Sequence, residues 1–84
     1  MIFSKTFNSD LYSQIVVMLD REEVFCNYNP CVRFYFYVDG SVHNFSVSFG
    51  NTDTGVKLCR EFFDGITDAD VESIVYDKLE EGKV

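Results

Sequence analysis

The sequence feature that most constrains the fold is residues 34–49, FYFYVDGSVHNFSVSF, where two aromatic and β-branched runs flank Asp39 and Gly40. Asp-Gly is among the strongest short signals for a two-residue hairpin turn, because both positions must adopt a left-handed backbone. The segment therefore predicts an antiparallel β-hairpin.

Two registers of this hairpin fit the hydrophobic pattern. If the Asp-Gly pair forms the loop, Phe34 lies opposite Phe45, and if the loop lies one residue later, Phe36 faces Phe45 instead. The register between these two would pair apolar with polar positions and is excluded. Both allowed registers predict one apolar face, made of Val32, Phe34, Phe36, Val38, Phe45, Val47 and Phe49. They also predict an opposite face made of Arg33, Tyr35, Tyr37, Val42, Asn44, Ser46 and Ser48.

Two helices are predicted after the hairpin. Residues 52–54 offer caps for the first helix, and Gly65 is placed to end it in the left-handed conformation. Residues 67–70, T-D-A-D, resemble a capping box that begins the second helix, which Gly82 would close. The predicted apolar stripes are Val56, Cys59, Phe62 and Phe63 in the first helix, and Val71, Ile74, Val75 and Leu79 in the second.

The secondary structure of the N-terminal half is harder to predict. Residues 10–23 show helical spacing of apolar residues after a candidate cap at Asn8 or Ser9, but their β-branched run IVV favours a strand. We predict a helix there and keep the strand open. Residues 24–28 predict a short strand, residues 29–30 (Asn-Pro) the turn that follows it, and residues 2–7 an edge strand or an N-terminal arm.

Together these elements predict one small α+β domain spanning residues 1–84. Its order would be α-β-β-β-α-α, with a three-stranded antiparallel sheet and helices packed on the phenylalanine face. Nine Phe and five Tyr supply enough apolar area for a single core, even in a chain of 84 residues.

The charge balance restricts the classes of partner. Fourteen acidic residues against seven basic ones give a net charge of −7, which disfavours direct binding to nucleic acid or to an anionic membrane. The longest apolar run, IVVML at residues 15–19, is far too short to span a bilayer. Residues 1–10 show no secretory signal pattern, so we expect a cytoplasmic protein with reduced cysteines and treat a Cys26–Cys31 disulfide as the minor alternative.

No residue pattern predicts catalysis or a cofactor. The single histidine, His43, is expected to be a partly buried structural residue, and Cys59 is expected to act as a small core residue. The spacing of the three cysteines and His43 matches no compact zinc site, and residues 64–72 lack the geometry of a calcium loop. We therefore predict a protein that is not an enzyme and binds no metal.

The acidic C-terminal segment is the most unusual feature of the composition. Residues 64–81 contain seven carboxylates and one basic residue, Lys78. A solvated helix face explains such a pattern in most proteins, whereas carboxylates on a rigid scaffold can also imitate the phosphates of a nucleic acid. The candidate binding residues are Asp64, Asp68, Asp70, Glu72, Asp77, Glu80 and Glu81, together with the two tyrosines of the polar hairpin face, Tyr35 and Tyr37.

The predicted layout resembles small acidic phage inhibitors, and it is similar above all to the anti-CRISPR proteins. The resemblance lies in an N-terminal helix, the hairpin FYFYVDGSVHNFSVSF, the linker GNTDTG and the acidic helix DADVESIVYDKLEEG; the three quoted segments fall within residues 34–82, about three-fifths of the chain. It implies a phage protein in the cytoplasm of a bacterial host, which would occupy the DNA-binding groove of an RNA-guided nuclease.

The leading hypothesis is a non-enzymatic inhibitor that binds a basic nucleic-acid-binding groove of a larger protein. Its carboxylates would imitate phosphates, and Tyr35 and Tyr37 would act as aromatic anchors. The alternative is a protein–protein interaction module without mimicry, including a homodimer that pairs sheet faces or edges through Tyr35, Tyr37 and Val42. A small enzyme is the third and weakest hypothesis.

Overall fold

A computed structural model describes residues 3–25 and 27–81. Four antiparallel strands come first, and their order in the sheet is the order of the chain, β1-β2-β3-β4. Two helices follow. The strands are β1 (Ser4–Ser9), β2 (Ser13–Val24), β3 (Asn27–Val38) and β4 (Ser41–Ser48), and the helices are α1 (Asp53–Gly65) and α2 (Asp68–Glu81). The predictions for residue 2, Cys26 and Gly82 lie outside the described residues.

The α+β class is confirmed, but the predicted three-stranded sheet and the N-terminal helix over residues 10–23 are wrong. The order is β-β-β-β-α-α. In β2 the side chains alternate, so that Ile15 and Val17 are buried on one face of the sheet while Val16 is only partly buried on the other. Residues 15–19 are apolar on both faces, which hid the two-residue period and imitated a helical stripe. Pairing with β1 and β3 then satisfies the backbone on both sides of the strand.

The predicted helix cap at Ser9 instead organises a turn. Its side-chain oxygen accepts hydrogen bonds from the backbone nitrogens of Leu11 and Tyr12, each at 3.2 Å. This is the same short-range chemistry as a helix cap, because a serine hydroxyl satisfies backbone donors two or three residues ahead. Ser13 then adopts φ 64°, and the chain reverses into β2 rather than continuing as a helix.

The predicted short strand at residues 24–28 and the turn at residues 29–30 are also wrong. The chain reverses at Phe25, which has φ 49°, and β3 runs on through Pro30, which pairs with Arg21. The backbone nitrogen of Phe49 donates to the carbonyl of Pro30 at 2.8 Å, so the backbone of Pro30 faces the β4 side. Its missing N–H therefore costs no bond to β2 and only the return bond to Phe49, just beyond the end of β4.

The hairpin between β3 and β4 is confirmed in the first of its two registers. Phe34 pairs with Phe45, and their rings stack at 4.9 Å between centroids. Asp39 and Gly40 form the loop with φ 51° and 80°, both left-handed, as the turn requires.

Both helices begin as predicted. The side chain of Thr52 accepts a hydrogen bond from the backbone nitrogen of Gly55 at the start of α1. Thr67 and Asp70 exchange bonds of 3.1 and 3.3 Å between side chain and backbone at the start of α2, which confirms the capping box. The prediction that Gly65 is left-handed is wrong, since it is the last residue of α1 and the following Ile66 is extended.

The core lies between the two helices and one face of the sheet, which we call the inner face. Val32, Phe34 and Phe36 of β3 are buried there together with Val71 and Val75 of α2. We call the other side of the sheet the open face, because no described helix packs against it. The predicted helix stripes are confirmed in part: Cys59, Phe63, Val71 and Val75 are buried, Phe62, Ile74 and Leu79 are partly buried, and Val56 is exposed.

Candidate interaction surfaces

The negative charge is concentrated in the two helices, which we call the helix layer (residues 53–81). That segment holds nine acidic and three basic residues, a net charge of −6. Residues 4–48, which form the sheet, hold five acidic and three basic residues, a net charge of −2. The side of the molecule that carries the helices is therefore the strongly acidic one.

Several of the predicted carboxylates have structural partners. Glu72 accepts a hydrogen bond of 2.8 Å from the hydroxyl of Ser9, which joins α2 to the end of β1. Asp70 caps the start of its own helix. The other two pairs are surface ion pairs along a helix, Asp64 with Arg60 at 3.1 Å and Glu81 with Lys78 at 3.5 Å. Such exposed pairs contribute little to stability, and the net charge of the layer remains negative.

Asp68 and Asp77 are exposed, and their side chains make no hydrogen bond or ion pair within residues 3–25 and 27–81. Glu80 is also exposed, although it does have an interaction partner. Asp70, Asp77 and Glu81 share one side of α2, and the helical rise separates them by about 10 and 6 Å along the axis. Carboxylates at these distances are compatible with contacts to a row of basic side chains.

The open face of the sheet carries the two predicted tyrosines. Tyr37 is 54% exposed and pairs across the strands with Val42, which is 59% exposed. Tyr35 is partly buried and pairs with Val16 of β2, so that these four side chains form one apolar and aromatic patch. The patch is not needed for the core, because the phenylalanines of β3 lie on the inner face.

One ion pair lies beside this patch on the open face. Arg33 donates through Nε to Asp20 at 3.0 Å and through Nη1 to Asn44 at 3.3 Å. A hydrogen bond from the backbone nitrogen of Arg21, with the contribution of Arg33, lowers the pKa of Asp20 below its usual value. Asp20 is therefore ionised at neutral pH, where it forms an ion pair with Arg33.

The predicted site residues do not form one site. Tyr35 and Tyr37 lie on the open face, whereas the seven carboxylates lie in the helix layer on the other side of the sheet. A flat partner therefore contacts one set or the other. The structure separates the leading hypothesis, which used both sets, into two distinct surfaces.

The described cysteines are buried thiols. Cys59 belongs to the core, and Cys31 is buried on the open face opposite Asp20 of β2. Burial raises the pKa of both thiols, and a raised pKa leaves less of the reactive thiolate at neutral pH. Both are free cysteines.

His43 was expected to be partly buried, and it is exposed instead. Its ring stacks on Phe36, with 5.9 Å between the ring centroids. Within the described residues, no group of three or more His, Cys, Asp or Glu side chains is arranged to hold a metal ion.

Sequence reasoning missed an aromatic tip and a neighbouring groove. Phe25, at the reversal between β2 and β3, is 94% exposed and left-handed, a conformation that bulky residues rarely adopt. The groove, of about 930 Å³, is lined by Phe3, Tyr28 and Val56, all exposed, with Cys59 among the other residues that line it. The sequence carried no signal for the groove, because Val56 fits the apolar stripe predicted for α1 and only the structure shows it exposed.

Comparisons with known proteins found no matching protein family, no matching curated protein and no matching solved structure. Among the described helices none is both long enough and apolar enough to cross a membrane.

Proposed function

We propose that this protein is a non-enzymatic inhibitor whose helix layer binds a basic, nucleic-acid-binding groove of a larger protein. The observation that carries the proposal is the net charge of −6 within residues 53–81, set against −2 in the sheet. A field of one sign on one side of a small protein orients it toward a basic partner and accelerates its association.

The groove of a nucleic-acid-binding protein is a suitable target because it is built to receive rows of negative charge. The exposed carboxylates of Asp68, Asp77 and Glu81 would meet lysine and arginine side chains there and exclude the nucleic acid. The capping role of Asp70 does not oppose this contact, since the carboxylate keeps its charge while it accepts a backbone hydrogen bond.

The proposal does not rest on the resemblance to anti-CRISPR proteins. That resemblance included an N-terminal helix, which is a strand in the structure. An RNA-guided nuclease remains one example of the target class, and the chemistry requires only a basic groove that binds DNA or RNA.

The test is affinity capture from a bacterial lysate, with the bound proteins identified by mass spectrometry. The helix-layer variant Asp68→Asn with Asp77→Asn is compared with a control of equal charge change on the sheet side, Glu23→Gln with Asp39→Asn. The control keeps a favourable turn because Asn-Gly supports the same hairpin as Asp-Gly.

We expect capture of a basic nucleic-acid-binding protein whose affinity falls about tenfold or more between roughly 50 and 200 mM salt. Added DNA should compete, and only the helix-layer variant should weaken capture. A partner that binds equally at both salt concentrations, or equally to both variants, would contradict the proposal.

The open face supports a second candidate, a protein–protein interaction module without mimicry. The specific observation is the exposed pair Tyr37 and Val42 on a face that no described helix covers. Tyrosine is enriched at the energetic centres of interfaces because it combines a large apolar ring with a hydrogen-bonding hydroxyl. In this case Tyr37→Ala abolishes capture of the partner, whereas the helix-layer variant leaves it unchanged.

A further inference from the structure

The two edge strands of the sheet differ in their protection against pairing with another chain. β1 is six residues long, and its Lys5 points to the inner face, where its ammonium donates to the backbone carbonyls of Phe63 and Asp64 at 2.8 and 3.1 Å. An inward-pointing charge on a short edge strand is a known device against edge-to-edge association. β4 is eight residues long and contains no Asp, Glu, Lys, Arg, Pro or Gly.

The hydrogen-bonding direction of each β4 residue follows from the hairpin register. Residues that flank a two-residue loop form a hydrogen-bonded pair, so Ser41 bonds toward β3, and the direction then alternates along the strand. The bond from Phe49 to Pro30 has the same parity and supports this assignment. The backbone groups of four even-numbered residues therefore face outward: Val42, Asn44, Ser46 and Ser48.

These outward groups have no described partner. The sheet ends at β4, and no described residue donates to or accepts from the four backbone positions. The helices pack mainly over the other strands, α1 over β2 and β3 and α2 over β1, although Lys78 of α2 reaches the inner side of Phe45. The outward N–H and C=O groups of these four alternate residues form a row of about 20 Å.

We propose that β4 pairs with β4 of a second copy of this chain, in antiparallel register about Phe45. In this register Val42 lies opposite Ser48 of the partner subunit and Asn44 opposite Ser46 of the partner subunit. Each of the four resulting pairs exchanges two backbone hydrogen bonds, so eight bonds join two four-stranded sheets into one of eight strands.

Side chains on both faces are compatible with this register. Phe45 is partly buried, stacked on Phe34, and would lie beside the Phe45 of the partner subunit at a non-hydrogen-bonded position, where side chains approach most closely. On the open face, Asn44 lies opposite Ser46 of the partner subunit, so only small polar side chains meet there. The strand is therefore complementary to its own copy.

Electrostatics opposes a second copy less at this edge than at the acidic helix layer. Two chains of net charge −7 repel each other, and the repulsion is weakest where the contact strand carries no charged residue. Lys78 also lies near this edge, with its ammonium nitrogen 5.8 Å from the centre of the Phe45 ring. Since screening in physiological salt acts over about 8 Å, helix layers set back from the edge oppose the dimer only weakly.

The test is sedimentation equilibrium over a range of protein concentrations, with three chains. Ser46→Pro removes one outward N–H at the centre of the edge. It should leave pairing with β3 intact, because the backbone of Ser46 makes no ladder bond to β3. Thr6→Pro is the matched control, since Thr6 has the same outward direction on β1, as the parity of the bond from Leu19 to Phe3 indicates.

We expect the wild-type chain and Thr6→Pro to dimerise alike, with Ser46→Pro weakened about tenfold or more, since two of the eight hydrogen bonds are lost by symmetry. Hydrogen exchange of the wild-type chain is a second measurement that does not depend on the variant folding. The amides of Val42, Asn44, Ser46 and Ser48 should become protected as concentration rises, while those of Ser4, Thr6 and Asn8 should not.

A wild-type chain that stays monomeric up to about 1 mM overturns the proposal. So does a dimer in which the four β4 amides exchange as fast as they do in dilute solution. The proposal is independent of the function proposed for the helix layer, because salt-sensitive capture of a basic partner and pairing at β4 are measured separately.

Discussion

Strand β3 shows the two sides of this protein at alternate residues. On the inner face Val32, Phe34 and Phe36 are buried beneath the helix layer. On the open face Tyr35 is only partly buried and Tyr37 is half exposed. The same strand thus supplies the centre of the core and the centre of an uncovered surface, one residue apart.

The difference separates residues needed for folding from residues available for function. A buried phenylalanine is explained by the core, because removing its apolar area from water stabilises the fold. An exposed tyrosine has no such explanation, so its aromatic ring is free for another use. Substitutions on the two faces should therefore have unequal effects on stability, and the following predictions are ordered by the expected size of the effect.

Phe34→Ala should have the largest effect. The side chain is fully buried and stacked on Phe45, so its loss should lower the free energy of unfolding by about 3–5 kcal/mol, measured by urea denaturation. Tyr37→Ala, on the open face of the same strand, should cost less than about 1 kcal/mol. Equal losses for the two variants would refute the division into two faces.

Gly55→Ala should have the next largest effect, because the first turn of α1 lies very close to the backbone of Gly50. A methyl group there would lie 1.8 Å from the backbone carbonyl oxygen of Gly50, so the backbone must shift, and we expect a loss of about 1–3 kcal/mol in urea denaturation. Gly65→Ala is the control in the same helix, where nothing lies within 4 Å, and it should be neutral or stabilising by up to about 1 kcal/mol.

Lys5→Ala tests a charged side chain that packs on the inner face. Lys5 donates to two carbonyls at the end of α1, which is the negative end of the helix dipole, and its ammonium lies 4.7 Å from the centre of the Phe63 ring. We expect a loss of about 1–2 kcal/mol in thermal or urea unfolding. Lys57→Ala, whose exposed ammonium lies 4.0 Å from Glu61, should change stability by less than about 0.5 kcal/mol.

Asp20→Asn tests the charged pair of the open face and should have the smallest effect. The pKa of Asp20 is lowered in the folded protein, so its contribution is present above the unfolded pKa, near the model-compound value of 3.8, and is lost as pH falls through the lower folded pKa. The variant should therefore lose a little stability at pH 7 and progressively less as the pH falls below 3.8. A loss that stays constant over this range would show that the effect of Asp20 is not electrostatic.

Sequence reasoning predicted the parts of the fold that depend on neighbouring residues. The register about Asp39 and Gly40, the cap at Thr52 and the capping box at Thr67 all involve groups within a few positions of one another. It failed at residues 10–23, where both faces are apolar and long-range pairing decides between helix and strand. Nine residue pairs join β2 to β3, and no pattern within β2 alone reveals them.

The candidate surfaces divide in the same way. The exposure of Tyr37 followed from hairpin parity, and it is confirmed. The separation of the tyrosines from the acidic helices could not be predicted in this way, because it depends on which face of the sheet the helices cover. The internal bond from Ser9 to Glu72 joins residues 63 positions apart, and nothing local to either residue indicates it.

The strand order β1-β2-β3-β4 has a consequence for the route by which the chain folds. Each strand pairs with its neighbour in the chain, so the sheet consists of three successive hairpins with short loops. Hairpins form within about 1–10 μs, and low sequence separation speeds folding. The contacts of β1 with the helices, from Lys5 to Phe63 and from Ser9 to Glu72, close the longest loops. We expect the sheet to assemble from its C-terminal hairpin outward, and the attachment of the helices to β1 to complete the transition last.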